Sequence, residues 1–428
     1  MPALFAAGAV LLALALLSIG ERFARSGEPL DFLYAGTPEG ARNVLGMLAG
    51  SMIGTAGVTF SITIVALSLA SSQFGSRLLR NFLRDPGNQI VLGSFVATFL
   101  YCLVVLRSVV DEAPVPALAI TGAVALSIAS LGVLIYFFHH VATSIQASSV
   151  VSAVAHDLER AIDRFCNGTR DCADEETAAL PAGGTIVTAE RSGYIQAIDH
   201  EGLVSIAVRR EGLVEALHRA GDFVIAGGAL ARIATSASQS EADEDVAPLR
   251  RAFMVGPQRT PDQDLEYSVR QLVEIAVRAL SPGINDPFTA INCIDWLGVA
   301  TAQLARRGMP ARCYRDDDGQ VRLIANAPTF PGVVDAAFQQ IRQAGAGHVA
   351  VAIRLLETFT AVAGHVQTPP DAETLRLQID RVFEAALAAG PIEADAAMLA
   401  ARHAHARQAL DPARLSAAGE GRVERDRR

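Results

Sequence analysis

GSMIGTAGVTFSITIVALSLASSQF, residues 50–74, decides how the chain must be read. The stretch holds no charged side chain, and at about 1.5 Å of rise per residue a helix of this length crosses a ~30 Å hydrocarbon core. A helix satisfies its own backbone amides, which oil would otherwise leave unpaired at a cost of several kcal/mol each, roughly. Its polar residues are small and recurrent. Ser51, Thr55, Thr59 and Thr63 follow at intervals of four, and Gly50, Gly54 and Gly57 lie beside them. Two readings stay open. Small residues and hydroxyls let helices approach closely and bond across the contact. A row of hydroxyls also replaces part of a hydration shell along a pore. With no ionisable residue in the stretch, a proton relay or charge-coupled pump has no support.

Three more segments have the same character, so the chain carries four expected spans at residues 2–19, 44–70, 90–106 and 115–138. None has an Asp, Glu or Arg in its interior. The first lacks the basic start and small-residue cleavage site of a signal peptide and is read as a retained helix. Arg77, Arg80 and Arg84 follow the second span. The third is followed by Arg107 beside Asp111 and Glu112, and the loop before the second mixes Arg22, Arg25 and Arg42 with acids. The positive-inside rule then places the 77–84 loop, both termini and the large C-terminal region in the cytoplasm. The same loop reads as an interfacial basic helix. Phe74, Leu78, Leu79, Phe82 and Leu83 share one side, with Arg77, Arg80 and Arg84 on the other, which suits the headgroup layer.

Composition agrees. Of 428 residues 51% are hydrophobic, the aromatic share is only 6%, and the mean hydropathy is +0.30, positive because of the first 140 residues. The net charge of −9 argues against nucleic acid as a partner. All 36 basic residues are Arg, which removes lysine Schiff bases, the phosphate-binding lysine of a P-loop and lipoate attachment. The five cysteines (Cys102, Cys166, Cys172, Cys293, Cys313) are scattered, and neither they nor His139, His140 and His156 have metal-ligand spacing.

Beyond the fourth span, helical spacing of Val141, Ile145, Val150, Val154, Leu158 and Ile162 carries the span on into the cytosol. A polar linker follows. Residues 185–189, 194–198, 213–217, 223–225 and 230–234 read as strands, 203–209 as a short helix, with turns at Gly221-Asp222 and Gly227-Gly228. The strings SGYIQ and GDFVIAGGALARI resemble the small barrel-sandwich modules of lipoyl-like and membrane-fusion adaptor proteins. From Pro248 the pattern turns helical. Helices are expected over 264–280, 287–307, 333–344, 348–363, 372–389 and 393–409, and a hairpin over 313–324 turned by Asp318-Gly319. In SPGINDP, Asp286 supplies an N-cap and Pro287 the favoured first helical position. The carboxylates nearby (Asp264, Glu266, Glu274, Asp286, Asp295) lack a partner His or a diagnostic spacing, so no catalytic, cofactor or metal residue is assigned and the chain is not read as an enzyme.

Taken together, the strings GTAGVTFSITIVALSLASSQFGSRLLRNFLRDPGNQIVLGSFVATFLY, HHVATSIQ, SGYIQAID, RAGDFVIAG and QLVEIAVRALSPGINDPFTA resemble a bacterial predicted membrane protein family, domain of unknown function 2254. The resemblance implies a multi-pass inner-membrane protein with a cytosolic C-terminal region and brings no catalytic residues.

The expected fold class is an α-helical polytopic membrane domain of four transmembrane helices plus a cytosolic α+β region, containing a small β-barrel-like module and a helical domain. The expected division is 1–145 transmembrane, 146–182 helical extension and linker, 183–236 β-rich module, 237–247 acidic linker, 248–410 helical domain and 411–428 disordered tail. The expected function is a homo-oligomeric ion or small-solute channel, with the lipid bilayer as partner and the cytosolic part as assembly or gating domain. A non-conducting scaffold or sensor, binding a protein partner through that part, is the alternative.

Overall fold

The computed structural model describes residues 1–26, 34, 36–74, 86–111, 114–144, 146–166, 184–235 and 246–411. The chain forms two compact units, Met1–Val150 and Val151–Arg428. The basic loop with Arg77, Arg80 and Arg84, the two linkers and the C-terminal tail lie outside the described residues.

The first unit is built on four helices: α1 (Pro2–Ser26), α2 (Pro38–Phe74), α3 (Pro86–Ser108) and α4 (Ala117–Ser144). Each holds a segment long and apolar enough to cross a bilayer. Helix α3 is the hub, packing against α1, α2 and α4. Its Val91, Phe95, Tyr101, Cys102 and Val105 are buried. Two polar contacts tie α3 to α4 inside the bundle, where an oil-like interior favours paired groups. The Tyr101 hydroxyl donates to the Ala119 carbonyl at 2.8 Å, and Thr98 and Ser130 share a buried hydroxyl bond of 3.0 Å between α3 and α4. Gly122 lets α4 approach this tyrosine, since a Cβ there would meet the Tyr101 hydroxyl. The fourth span does not run on as one helix. It ends at Ser144, and a separate amphipathic helix, α5 (Ala147–Phe165), begins three residues later. Helical spacing registers through the break because only Ile145 and Gln146 separate the two helices.

In the second unit the strands and helices are β1 (Thr185–Thr188), β2 (Gly193–Ile198), α6 (His200–Arg209), β3 (Leu213–Ala216), β4 (Phe223–Val224), β5 (Ala229–Ala234), α7 (Val246–Arg251) and β6 (Phe253–Gly256). They continue with α8 (Leu265–Ala279), α9 (Pro287–Arg307), β7 (Cys313–Arg315), β8 (Val321–Ile324), α10 (Phe330–Ala344), α11 (Val349–Ala363), α12 (Pro369–Ala388) and α13 (Glu393–Ala409). The barrel-like module is corrected: there are two open sheets. One has the order β1-β5-β3-β8-β7 and the other β4-β2-β6. All neighbours are antiparallel except β3 and β8, which pair in parallel through Val214–Leu323 and Glu215–Ile324. A barrel closes when its edge strands find one another. Here β2 leaves for the second sheet, while β8, from about 110 positions downstream, occupies the flank of β3. The short strand β6 lies where a helical pattern was expected, held by its pairing with β2. The sheets and α6 and α7 share one core that includes Ile195, Leu203, Val214, Val224, Leu230, Ile233, Phe253 and Leu323.

Helices α8 to α13 bury their apolar stripes on one another. Phe338 of α10 meets Phe359 of α11 edge to face at 4.9 Å. Their starts are written locally: Asp199, Asp286, Thr329 and Thr368 each accept a backbone N–H as N-caps of α6, α9, α10 and α12.

Candidate functional site

Helix α2 carries the residues singled out first. At about 100° per residue, its buried side is Ala41, Leu45, Ala49, Ala56, Thr59 and Ala66. The opposite side is a line of small residues: Gly46, Gly50, Gly54, Gly57 and Ser61, all exposed. A Cβ placed on any of the four glycines would meet no atom within 4 Å. Larger exposed side chains border the line, with Ile53, Phe60 and Ile64 on one edge and Met47, Val58 and Val65 on the other. The result is a shallow apolar groove on the side of α2 that its own bundle leaves open.

The expected hydroxyl row is divided by this geometry. Ser51 is exposed and Thr55 and Thr63 are half-buried, whereas Thr59 is 3% exposed on the packed side. Three of the hydroxyls donate to carbonyls one turn back: Ser51 to Met47 at 2.8 Å, Thr55 to Ser51 at 2.9 Å and Thr63 to Thr59 at 2.8 Å. A hydroxyl that donates inside its helix keeps its oxygen lone pairs for an outside partner. Ser51 and Thr55 therefore present acceptors beside the groove. Interval-of-four spacing hid the division, because each step turns roughly 40° and two steps carry the row from exposed Ser51 to packed Thr59.

The second unit holds a concentrated ionic cluster where the loop before β4 meets the start of α8. Arg259 grips the buried Asp264 with two nitrogens, one at 2.9 Å. Glu266, also buried, is bound by Arg219 and by Arg270 at 3.0 Å. Asp222 accepts the Arg219 backbone N–H at 3.0 Å and has His218 3.5 Å away. Gly221 has φ +95°, and a side chain there would collide with the Asp264 carboxylate. Burial raises the Asp264 pKa and Arg259 opposes the rise. Three carboxylates and three guanidiniums balance, which is the arrangement of a structural joint.

The remaining sequence candidates each have a local partner. Asp286 caps α9, accepting the Thr289 N–H at 3.1 Å and its hydroxyl at 2.5 Å. Asp295 pairs with Arg354, and Glu274 lies 3.8 Å from Arg278. His156 meets Trp296 at 5.9 Å, and His140 stacks on Tyr136 at 5.4 Å. Burial pushes the Cys166 thiol up to about 11, so it is a poor nucleophile at neutral pH. Among the described residues no three His, Cys, Asp or Glu side chains form a set that holds a metal. Sequence reasoning missed one feature: His200 stacks on Tyr314 at 4.8 Å between two open grooves of about 610 and 500 Å³. The two residues lie 114 positions apart with no shared motif.

A family model described as "Predicted membrane protein (DUF2254)" matches residues 1–361. An uncharacterized protein of Mycobacterium bovis and one of Mycobacterium tuberculosis are each 34% identical over 397 residues, covering 90% of this chain and 76% of theirs. No solved structure matches the chain.

Proposed function

This chain belongs to the predicted membrane protein family of unknown function 2254, and from that premise we propose that it is a homo-oligomer whose α2 helices meet along the small-residue groove and border a path for ions or small solutes. The observation that carries the reading is the open line Gly46, Gly50, Gly54, Gly57 and Ser61 opposite the packed side of α2. Lipid tails fill such a groove poorly, whereas a second helix seats its backbone in it. The two edges differ in a way that suits a ring. Beyond the edge of Ile53, Phe60 and Ile64 no hydroxyl is presented, as suits a lipid-facing edge, whereas beyond the edge of Met47, Val58 and Val65 come the acceptor oxygens of Ser51 and Thr55. The second unit lies in the cytoplasm on this reading, in keeping with Arg77, Arg80 and Arg84.

The test is native mass in lipid nanodiscs, compared between the natural chain and the double variant Gly50→Leu, Gly54→Leu. A defined oligomer that falls to monomer in the variant is expected. A strict monomer in the natural chain refutes the proposal. If the oligomer forms, liposome flux decides between path and scaffold: Ser51→Leu, Thr55→Leu should abolish flux at unchanged mass. An oligomer without flux is the non-conducting scaffold.

A further inference from the structure

The hydroxyls of α2 all spend their protons in the same way. Ser61 donates to the Gly57 carbonyl at 2.9 Å, just as Ser51, Thr55 and Thr63 donate to Met47, Ser51 and Thr59. Between residues 51 and 63 every hydroxyl except packed Thr59 is therefore used up as a donor inside its own helix. What each still offers to a neighbour is oxygen lone pairs. The backbone of the helix interior adds no donor, because its N–H groups are bonded one turn back. An anion is held by N–H and O–H donors or by positive charge, a cation by lone pairs. Ser51 and Thr55 lie about 40° apart on one side of the helix, so the polar part of that side consists of acceptors.

Charge along α2 favours the same sign of solute. Residues 43–74 include no charged side chain. Arg42 is the only cation of the helix. At about 100° per residue it falls in line with Ile53 and Phe60, across the groove from Ser51 and Thr55, and it is bound to Asp111 at 2.6 Å. Glu39, in the first turn, is exposed. Where the helix begins, two carboxylates thus stand against one guanidinium, a field that attracts cations and repels anions. The lack of a carboxylate farther along sets a second limit. A small divalent ion gives up its water reluctantly and takes carboxylates in exchange, whereas a neutral hydroxyl is a weak ligand that serves an ion with a loosely held shell.

We infer that the path bordered by α2 takes weakly hydrated monovalent cations, of the size of potassium or rubidium, and turns away anions and divalent ions. The inference rests on the reading of α2 as the wall of a conducting oligomer and names its class of solute. Ser51 and Thr55 are the ligands that replace part of the hydration shell, and Glu39 is the group that draws the ion in.

The test follows uptake of radioactive rubidium, chloride and calcium, and of glycerol, into liposomes of uncharged lipid that carry the full-length protein, with empty liposomes as the blank. Rubidium uptake about tenfold or more above that of chloride and calcium is expected. Chloride or calcium entering as fast as rubidium overturns the inference and leaves the conducting oligomer standing. So does glycerol entry without rubidium. Entry of none of the four solutes removes the path itself, and the inference with it. These comparisons need only the natural chain. The variant Ser51→Ala, Thr55→Val then removes the two oxygens and keeps the space. Its rubidium uptake should fall about tenfold at unchanged native mass, and undiminished uptake refutes the assignment of these hydroxyls. Glu39→Gln should slow rubidium entry at low salt and leave it unchanged at high salt, where the charge is screened. An equal rate at both removes Glu39 from the proposal.

Discussion

His200 shows how one side chain in the second unit responds to acid. It is half-buried against Tyr314, with Nδ1 3.3 Å from the phenol oxygen and the rings stacked. Burial lowers its pKa below the usual 6.5, and the negative charge of Asp199 only partly restores it. A proton therefore binds the unfolded chain more readily than the folded one, so His200 contributes stability that is complete above 6.5 and is lost as the pH falls toward the folded value. Thermal melts at descending pH should show the midpoint dropping below about 6.5. Replacement by Phe, which preserves the stack, should flatten that drop. An unchanged pH profile in His200→Phe would remove the assignment. Nothing around Asp199-His200 announces the contact, because Tyr314 comes from a hairpin placed only by the parallel pairing of β8 with β3. Asp286 is the opposite case: its cap on α9 is spelled out in three consecutive residues and depends on nothing distant.

Among elements, the start of α8 is the one whose integrity depends on charge. Leu265 through Val269 are all buried, so Asp264 and Glu266 must be ion-paired there or not be charged at all. Removing one member strands its partner. Arg259→Met should cost about 3–5 kcal/mol of stability, with the double variant Arg259→Met, Asp264→Leu recovering much of it. A double-mutant cycle by denaturant titration reads the difference, and equal losses in the single and double variants would show that the pair is not the source. The helix itself was plain in the sequence from its apolar spacing and its end at Ser281-Pro282. Its charged neighbours were visible as residues and invisible as pairs, since Arg219 and Glu266 are 47 positions apart. Strand β6 belongs to the same class. Four residues following a short helix have little pattern of their own, and pairing with β2 makes them a strand.

For the whole molecule the proposed orientation has a direct check. The proposal counts four spans, which put both ends on one side, and takes that side as the cytoplasm from the positive-inside rule applied to Arg77, Arg80 and Arg84. A fluorescent protein that matures only in the cytoplasm, fused after residue 411, should be bright. A phosphatase that needs the oxidising side should be inactive at the same position. The reverse pair of results would invert the topology and, with it, the compartment proposed for the second unit.

Membrane character, the four spans and the limits of most helices follow from the sequence alone, because they rest on local quantities. A run of some twenty apolar residues requires a helix in oil, and a cap followed by a proline starts one whatever surrounds it. Family membership is equally local, carried by long strings such as LSPGINDPFTA. The tertiary structure alone decided which side of α2 faces its own bundle, and so divided Ser51 and Thr55 from Thr59. It also opened the expected barrel into two sheets, paired Glu266 with Arg219, and set His200 against Tyr314. Each of these depends on where a distant segment comes to lie. Periodicity gives a helix its faces, but only the partners that pack against it determine which face is covered.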